Sequence, residues 1–187
     1  LKNNRKVRLV VLHATGRNFC AGLDLKSIET NVSEDRVSEL WDLQRRIGDI
    51  YRAMRRCPQP IVALLNGAAV GGGFNLALAS DIRVATETTK MSAAYIKIGL
   101  TGADMGSSYF LPRLIGVSIA SELLLTGKFI DAARSLSCGL VSEVVSKEKL
   151  RETGERICTE LLQASHMGLS LTKEAIDLSI DAPSLEA

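Results

Sequence analysis

Three adjacent glycines, Gly71, Gly72 and Gly73, are the residues whose type and spacing first suggest chemistry in this sequence. They follow an apolar run and precede a helical pattern, and Asn75 stands two residues after the last of them. Amides in the first turn of a helix have no acceptor within the helix, and the helix dipole favours negative charge there. The glycines could therefore allow a tight turn, or bring backbone amides against a ligand oxygen.

A second loop, residues 17–25 ("RNFCAGLDL"), follows an earlier apolar run and offers amides at Gly22 and Leu23. If the strands before the two loops are neighbours, both loops lie at the carboxyl edge of one sheet, where α/β folds bind ligands. Two amides aimed at one point would form an oxyanion hole, in which one donor contributes about 100- to 1000-fold in rate. The glycine triplet by itself lacks the dinucleotide and P-loop motifs and is more typical of a turn.

Composition sets outer limits on the function. The 187 residues are 46% apolar and 24% charged with a net charge of +2, which predicts one domain with a sizeable core. The small charge argues against nucleic acid as the main partner, and no apolar run approaches the roughly 18 to 20 residues of a membrane span. Four widely separated cysteines predict reduced thiols in a cytoplasmic-type compartment, or an organellar matrix in a eukaryote. Two histidines argue against a histidine-rich metal site.

The hydrophobic patterns predict an α/β layered fold. Strands are expected at residues 7–12, 61–66, 81–86 and 140–145, and helices at about 33–56, 74–80, 118–127, 132–139, 147–164 and 169–180. In the first helix an apolar stripe is expected to face the core: Val37, Leu40, Leu43 or Gln44, Ile47, Ile50 and Met54. Gly127 is expected to end one helix and Asp131 to cap the next. The last third of the chain is mainly helical and has too few strands for its own core. We expect it to pack on the first part or on another subunit.

Four blocks of the sequence together resemble the crotonase family, the enoyl-CoA hydratase/isomerase superfamily. They are "GRNFCAGLDL", "PIVALLNGAAVGGGFNLALASDIRVA", "IGLTGADMGSSYFLPRLIG" and "ASELLLTGKFIDAARSLSCGLVSEVV", in that order. The resemblance implies a ββα-spiral acyl-CoA-binding core over residues 1–125, from which we expect an N-terminal part to be missing. It further implies a helical region over residues 126–187 that assembles trimers or dimers of trimers. The implied substrate is an acyl-CoA thioester, as in fatty acid metabolism, with no cofactor besides its coenzyme A.

The resemblance also assigns site residues. By motif match, the Leu23 and Gly72 amides form the oxyanion hole, and the backbone around Ala21 and Leu23 meets the adenine. Arg17 matches a basic residue for the CoA phosphates, and Lys26 is a weaker candidate for that role. The substrate-binding residues implied in this way are Arg17, Ala21, Gly22, Asp24, Leu25, Lys26, Gly71 and Asn75, with no metal ligand among them.

Two positions depart from the family pattern. Hydratases of this family carry glutamates where Asn75 and Tyr95 stand here. An amide cannot act as a base, and a phenol with a pKa of about 10 is a poor base at neutral pH. Tyr95 could orient a substrate or line the pocket wall. Asp104 is the candidate replacement, one residue further along than in isomerase relatives, because burial beside an acyl chain would raise its pKa. Alternatively, Asp104 caps the following helix.

Three classes of function follow from these residues. The first is an acyl-CoA enzyme, a lyase or isomerase that hydrates an enoyl-CoA or shifts its double bond through an enolate. The second is a binding protein that keeps the CoA clamp and has lost or altered catalysis. A serine hydrolase of Clp-protease-like architecture is disfavoured, because residues 67–73 contain no serine nucleophile.

Overall fold

The structure, a computed structural model, describes residue 4 and residues 6–24, 34–101 and 104–184. The side chains of residues 34–37, 40 and 104 lie outside the described part. The strands are β1 (Val10–His13), β2 (Ile61–Leu65), β3 (Ala68–Val70), β4 (Ile82–Thr86), β5 (Lys90–Ser92), β6 (Ile130–Asp131) and β7 (Glu143–Val145). The α-helices are α1 (Glu34–Arg55), α2 (Gly72–Ala79), α3 (Ser107–Ile115), α4 (Val117–Thr126), α5 (Ala132–Ser137), α6 (Leu150–Gln163) and α7 (His166–Ser179). Short 3₁₀ helices span Ala94–Ile98, Asp104–Gly106 and Lys147–Lys149.

The strands form two sheets. The first is parallel, in the order β1-β2-β4-β7, with Val10 opposite Ile61 and Val62 opposite Ile82. The second has the order β3-β5-β6. Because β3 follows β2 and β5 follows β4 almost directly, the chain alternates between the sheets as it advances. This alternation is the spiral that the resemblance implies.

The four strands of the first sheet match the predicted ones, with shifted ends. β1 begins at Val10 rather than at residue 7, and β7 covers only Glu143–Val145. The second sheet was not predicted, because its strands have only two or three residues and show no alternation that could be recognised.

The main core lies between the sheets and helices α2 to α4. Its largest fully buried side chains include Leu65, Phe74, Met91, Leu111 and Leu123. Burying such side chains stabilises the fold by about 1.5 to 3 kcal/mol each, relative to leaving them exposed.

The C-terminal third packs on the first sheet of its own chain. Ile157 of α6 clusters with Val62, Leu64 and Val84. A Cβ on Gly154 would come 2.6 Å from a methyl carbon of Leu64, so α6 approaches the sheet closely. One of the two expected packing partners is therefore confirmed, while the division at residue 125 stays a prediction.

Helix α1 buries part of the stripe that its apolar spacing predicted. The predicted stripe was Val37, Leu40, Leu43 or Gln44, Ile47, Ile50 and Met54. Among its described members, Leu43 and Ile50 are 46% and 50% exposed, whereas the neighbouring Tyr51 is only 5% exposed. The stated alternative Gln44 is partly buried, as are Ile47 and Met54. The prediction was wrong at Ile50, because the buried face is centred on Tyr51, whose hydroxyl reaches inward to the Gly72 carbonyl.

Two predicted helix ends are confirmed. Gly127 stops α4 with a left-handed backbone, φ 57°, which glycine adopts without a steric penalty. The Asp131 carboxylate accepts a hydrogen bond of 2.8 Å from the Arg134 amide and caps α5.

Candidate active site

The two glycine-bearing loops lie side by side. Cys20 pairs with Ala69 as an isolated parallel bridge. The Cys20 amide donates to the Ala68 carbonyl at 3.1 Å, and the Val70 amide donates to the Cys20 carbonyl at 2.9 Å. The loop at 17–25 is therefore held along β3, immediately before the glycine triplet, and the expected meeting of the two loops is confirmed.

Glycine is required where these loops touch. A Cβ on Gly73 would lie 2.1 Å from the Cys20 carbonyl oxygen, closer than any side chain can approach. Gly22 has φ 92°, and a Cβ there would lie 2.8 Å from the Val70 oxygen and 3.7 Å from the Gly72 nitrogen. Because the Leu23 amide follows Gly22 directly, the Leu23 and Gly72 amides belong to the same small region.

The three amides of the triplet are not equivalent. Gly71, with φ 56°, donates its amide hydrogen to the Ser92 carbonyl of β5 at 3.0 Å. Its amide is therefore engaged in the fold, and the expectation that it offers a donor to a ligand is wrong. Gly72 is the first residue of α2, where an amide has no acceptor within the helix. The helix dipole adds partial positive charge at that point.

Two residues that the sequence patterns did not indicate, Tyr51 and Met105, lie next to Gly72. The Tyr51 hydroxyl donates to the Gly72 carbonyl at 3.1 Å and lies 3.3 Å from the Met105 sulfur. Met105 has φ 55°, a left-handed conformation that is rare outside glycine and is often found at functional sites. No local pattern could identify these residues, because the contacts join distant parts of the chain.

Asn75 and Tyr95, the two positions that depart from the family pattern, are hydrogen-bonded to each other. The Asn75 side-chain nitrogen donates to the Tyr95 hydroxyl at 2.6 Å, and Ser107 donates to the Asn75 side-chain oxygen at 2.7 Å. The Ser107 and Tyr95 hydroxyl oxygens are 3.4 Å apart, which closes a ring of three side chains. We call this group the neutral ring; Ser107 was not predicted to belong to the site.

The remaining predicted site residues are only partly brought together. Arg17, Ala21 and Asp24 are exposed on the loop that carries Leu23. The predictions for Leu25 and Lys26 lie outside the described residues, as does the side chain of Asp104. Asp104 begins the short helix that contains Met105, and Gly106 occupies the cap position of α3.

A cavity of about 1580 Å³ adjoins the Gly72 turn. It lies between α1, α3 and α7, and Tyr51 and Met105 belong both to its lining and to the surroundings of Gly72. Its apolar lining includes Leu78, Phe110 and Ile176. Charged side chains line it as well, among them Arg52, Arg113, Lys173 and Asp177.

The described ranges were also searched for a metal-binding cluster and for a membrane-spanning helix. No cluster of three or more histidine, cysteine or acidic side chains there could hold a metal ion. No helix among the described residues has the length and apolar character needed to cross a membrane.

Comparison with known proteins agrees with this geometry. A family model described as enoyl-CoA hydratase/isomerase matches residues 1–187. A curated relative from Mycobacterium bovis, "Probable enoyl-CoA hydratase echA12", is 40% identical over 187 residues, covering 98% of this chain and 66% of the relative. The chain thus spans slightly less than two thirds of that relative's length.

Solved structures share the fold. A monofunctional enoyl-CoA isomerase from M. smegmatis has a TM-score of 0.80 and 37% identity, with 99% of this chain and 77% of that chain covered. An enoyl-CoA hydratase from Bacillus anthracis has a TM-score of 0.88 and 33% identity, with coverages of 97% and 69%. The two-sheet spiral is therefore the crotonase fold, and the chain belongs to the enoyl-CoA hydratase/isomerase family.

Proposed function

We propose that this chain carries the reaction site of an acyl-CoA-processing enzyme, a lyase or isomerase acting on an enoyl-CoA. The Leu23 and Gly72 amides stabilise the enolate oxygen of the thioester, and the reaction is hydration or a shift of the double bond. The observation that carries this proposal is the Cys20–Ala69 pairing, because it holds one loop against the turn that starts α2. A first-turn amide beside a second backbone amide suits an oxygen on which negative charge develops.

The coenzyme A part of the substrate is proposed to lie along the exposed loop before α1. Ala21 and Asp24 are exposed residues close to Leu23, and Arg17 is exposed at the start of the loop. A guanidinium suits phosphate groups by charge and hydrogen-bonding geometry. Leu25 and Lys26 are proposed to extend this contact.

The acyl chain is proposed to enter the cavity lined by α1, α3 and α7. Tyr51 and Met105 line its end nearest Gly72. An apolar chain gains about 0.8 kcal/mol for each methylene that it removes from water. The cavity therefore supports a substrate with an extended acyl group.

Asp104 is proposed as the group that moves the proton. It directly precedes Met105, whose sulfur would lie 3.6 Å from a Cβ on Gly72. A carboxyl beside an acyl chain has a raised pKa, which suits proton transfer at carbon. An Asp104→Asn variant is expected to bind acyl-CoA normally and to lose at least about 100-fold in kcat, the lower end of the range that positioned acid–base groups supply.

Product analysis tests the reaction. The full chain is incubated with trans-2- and trans-3-enoyl-CoA thioesters of several chain lengths, and products are identified by mass and chromatographic retention. The expected result is interconversion of the two isomers or formation of a 3-hydroxyacyl-CoA. Normal CoA binding without turnover at any chain length would contradict the proposal.

The alternative is a CoA-binding protein with lost or altered catalysis. It is favoured by one observation: the paired positions Asn75 and Tyr95 hold an amide and a phenol rather than carboxylates. Tight binding of a broad thioester panel without turnover would support it. A turnover that disappears in Asp104→Asn would contradict it.

Self-assembly into trimers or dimers of trimers is proposed as well. Several apolar side chains stand 45% or more exposed on the short helix Ala94–Ile98, on α4 and just beyond it. They are Ile96, Ile98, Val117, Leu125 and Phe129. Exposed apolar residues in such number are typical of a surface that another subunit covers. Sedimentation equilibrium is expected to give a mass three or six times that of the chain.

A further inference from the structure

The walls of the cavity beside the Gly72 turn carry an excess of positive charge. Among the described lining residues, seven are arginine or lysine and three are aspartate or glutamate. Two of the three acidic side chains, Asp81 and Asp177, are already paired with Lys173 and Arg55, which belong to the same lining. The excess therefore comes from the other arginine side chains.

Two of these arginines, Arg52 of α1 and Arg113 of α3, have carboxylate partners outside the described lining. Arg52 pairs with Asp49 and Arg113 with Asp181, each at 2.7 Å, and the two aspartate side chains are 67% and 54% exposed. Ion pairs to carboxylates this exposed are weak, because water screens the charges and holding two long side chains together costs entropy. Neither pair therefore prevents its guanidinium from binding a second carboxylate inside the cavity.

The Arg113 guanidinium is held in place and still has donors that its described partners do not use. It donates to the main-chain carbonyl of Tyr109 at 3.0 Å and to the Asp181 carboxylate at 2.7 Å. These two bonds use two of the five N–H groups that a guanidinium carries. A planar guanidinium in a fixed position suits a carboxylate, which it can bind through two parallel hydrogen bonds.

Arg113 lies at a distance from the Gly72 turn that an acyl group can span. Helix α3 begins at Ser107, two residues after Met105, whose sulfur would lie 3.6 Å from a Cβ on Gly72. Arg113 follows Ser107 by six residues, which corresponds to about 9 Å along the helix axis. An extended chain advances about 1.2 Å per bond. A chain of about eight carbons therefore covers the distance from the turn to Arg113.

We propose, building on the function proposed above, that the acyl group of the substrate ends in a carboxylate, which Arg113 binds inside the cavity. Arg52, on the α1 wall, adds positive charge for the same group. The substrate is then the CoA thioester of a dicarboxylic acid of about eight carbons. A methyl end would displace water from the guanidinium without replacing its hydrogen bonds, which is unfavourable. A carboxylate replaces them and compensates the charge.

A matched pair of substrates tests this inference. The full chain is given two enoyl-CoA thioesters of about eight carbons, one ending in a methyl group and the other in a carboxylate, in both trans-2 and trans-3 forms. The carboxylate-ended substrate is expected to have a kcat/KM at least about tenfold higher, the effect of hydrogen bonds to a charged group. Equal values, or a preference for the methyl end, would overturn this inference and leave the proposed function standing. Absence of turnover with every substrate would overturn both.

The second test concerns Arg113. Arg113→Met keeps much of the side-chain length and removes the charge. It is expected to lower the ratio of kcat/KM for the carboxylate-ended substrate over the methyl-ended one by about tenfold. Arg151→Met is the matched control: Arg151 also pairs with a carboxylate, that of Glu155, but its side chain is 90% exposed on α6 and lies outside the cavity lining. It should leave the ratio unchanged. An unchanged ratio in Arg113→Met, with folding checked by circular dichroism, would overturn the inference.

A third variant separates substrate binding from a structural role of the same ion pair. Asp181→Asn also breaks the pair with Arg113 but keeps the guanidinium. If the pair only holds α3 in place, both variants lower turnover of the two substrates alike. The inference predicts instead that Asp181→Asn raises the ratio by about two- to fivefold, because a competing carboxylate is removed. A ratio that stays the same or falls in this variant would contradict the assignment of Arg113.

Discussion

Among the described residues, a fully buried polar group and a partly buried one have opposite character. The neutral ring beside the glycine turn has no ionised member. The second group, which we call the ion cluster, consists of Arg55, Asp81, Lys173 and Asp177. The Lys173 ammonium lies 2.8 Å from the Asp81 carboxylate, and Arg55 lies 2.7 Å from the same carboxylate and pairs with Asp177.

The two groups serve different purposes because of where they lie. The ion cluster joins the end of α1, the start of β4 and the middle of α7. Lys173 also donates to the Met54 and Gln59 carbonyls, which fixes α7 over the cavity. The neutral ring adjoins the proposed oxyanion site and joins α2, the short helix Ala94–Ile98 and α3 by hydrogen bonds between uncharged side chains. The fold thus joins its elements by ion pairs in one region and by neutral hydrogen bonds in the other.

Arg83 is a buried charge that is held mainly by backbone carbonyl oxygens. It is buried, and it donates to carbonyl oxygens that include Leu140 at 2.7 Å. Burial is the main reason that its pKa falls to about 10. The guanidinium stays protonated at neutral pH and connects β4 to the end of α2 and to the segment before β7.

Breaking the ion cluster should have the largest effect on stability. Lys173→Met removes the ammonium from a site only 7% exposed and leaves Asp81 with one partner fewer. We expect the free energy of unfolding to fall by about 3 kcal/mol, the loss typical of breaking a buried ion pair. Urea denaturation measures this change. The control Lys149→Met, at an exposed position, should change stability by less than about 0.5 kcal/mol; equal effects of the two would contradict the comparison.

The contact between the two loops should be the next most sensitive feature. Gly73→Ala places a Cβ against the Cys20 carbonyl, so the backbone must move. We expect a loss of about 2 kcal/mol in stability, together with a large loss of kcat as the two amides separate. Gly48→Ala is the matched control, because a Cβ there meets no atom within 4 Å and alanine favours the helix by about 1 kcal/mol. Normal turnover in Gly73→Ala would count against the amide pair.

Removing the hydrogen bond to the Gly72 carbonyl should have a smaller effect on both stability and kcat. Tyr51→Phe removes the hydroxyl that donates to this carbonyl. We expect stability to fall by about 1 kcal/mol and kcat to fall by less than about tenfold, because the amide itself remains. Tyr109→Phe, which removes an exposed hydroxyl bonded to Asp181, should leave kcat unchanged. Steady-state kinetics on both variants would refute the assignment if Tyr109→Phe had the larger effect.

The smallest effect should come from the exposed end of α7. The Arg113 guanidinium donates to the Asp181 carboxylate at 2.7 Å and holds the pKa of that carboxyl below its ordinary value, with a further hydrogen bond from Tyr109. A lowered pKa in the folded state means that this contribution is present at neutral pH and is lost as the pH falls through the lowered value. The Tm of the wild type should slightly exceed that of Asp181→Asn at pH 7, and the two should converge in acid. A gap that widens on acidification would contradict this assignment.

The comparison also explains how far the sequence could predict the structure. Long apolar runs predicted the first sheet, and glycines with capping residues predicted helix ends such as Gly127 and Asp131. The second sheet was not predicted, because its strands are too short to show a periodic pattern and depend on pairing with distant segments. The burial of Tyr51 was missed for the same reason, since its partner Gly72 lies 21 residues away.

The part of the candidate site that is built from backbone could be predicted from the sequence. Two glycine loops after neighbouring strands had to meet, and Gly22 and Gly73 are the residues that permit the approach. The ring was predictable only in part. The sequence identified Asn75 and Tyr95 as replacements for carboxylates, but Ser107 joins them through side-chain geometry that no local spacing encodes.

The central claim is that the Leu23 and Gly72 amides form the oxyanion hole. A crystal structure of the full chain with a bound acyl-CoA tests it most directly. The account predicts the thioester oxygen at about 2.7 to 3.1 Å from both amide nitrogens, with the acyl chain extending past Tyr51 and Met105 into the cavity. A thioester oxygen bound elsewhere, more than about 4 Å from either nitrogen and so outside hydrogen-bonding range, would contradict it.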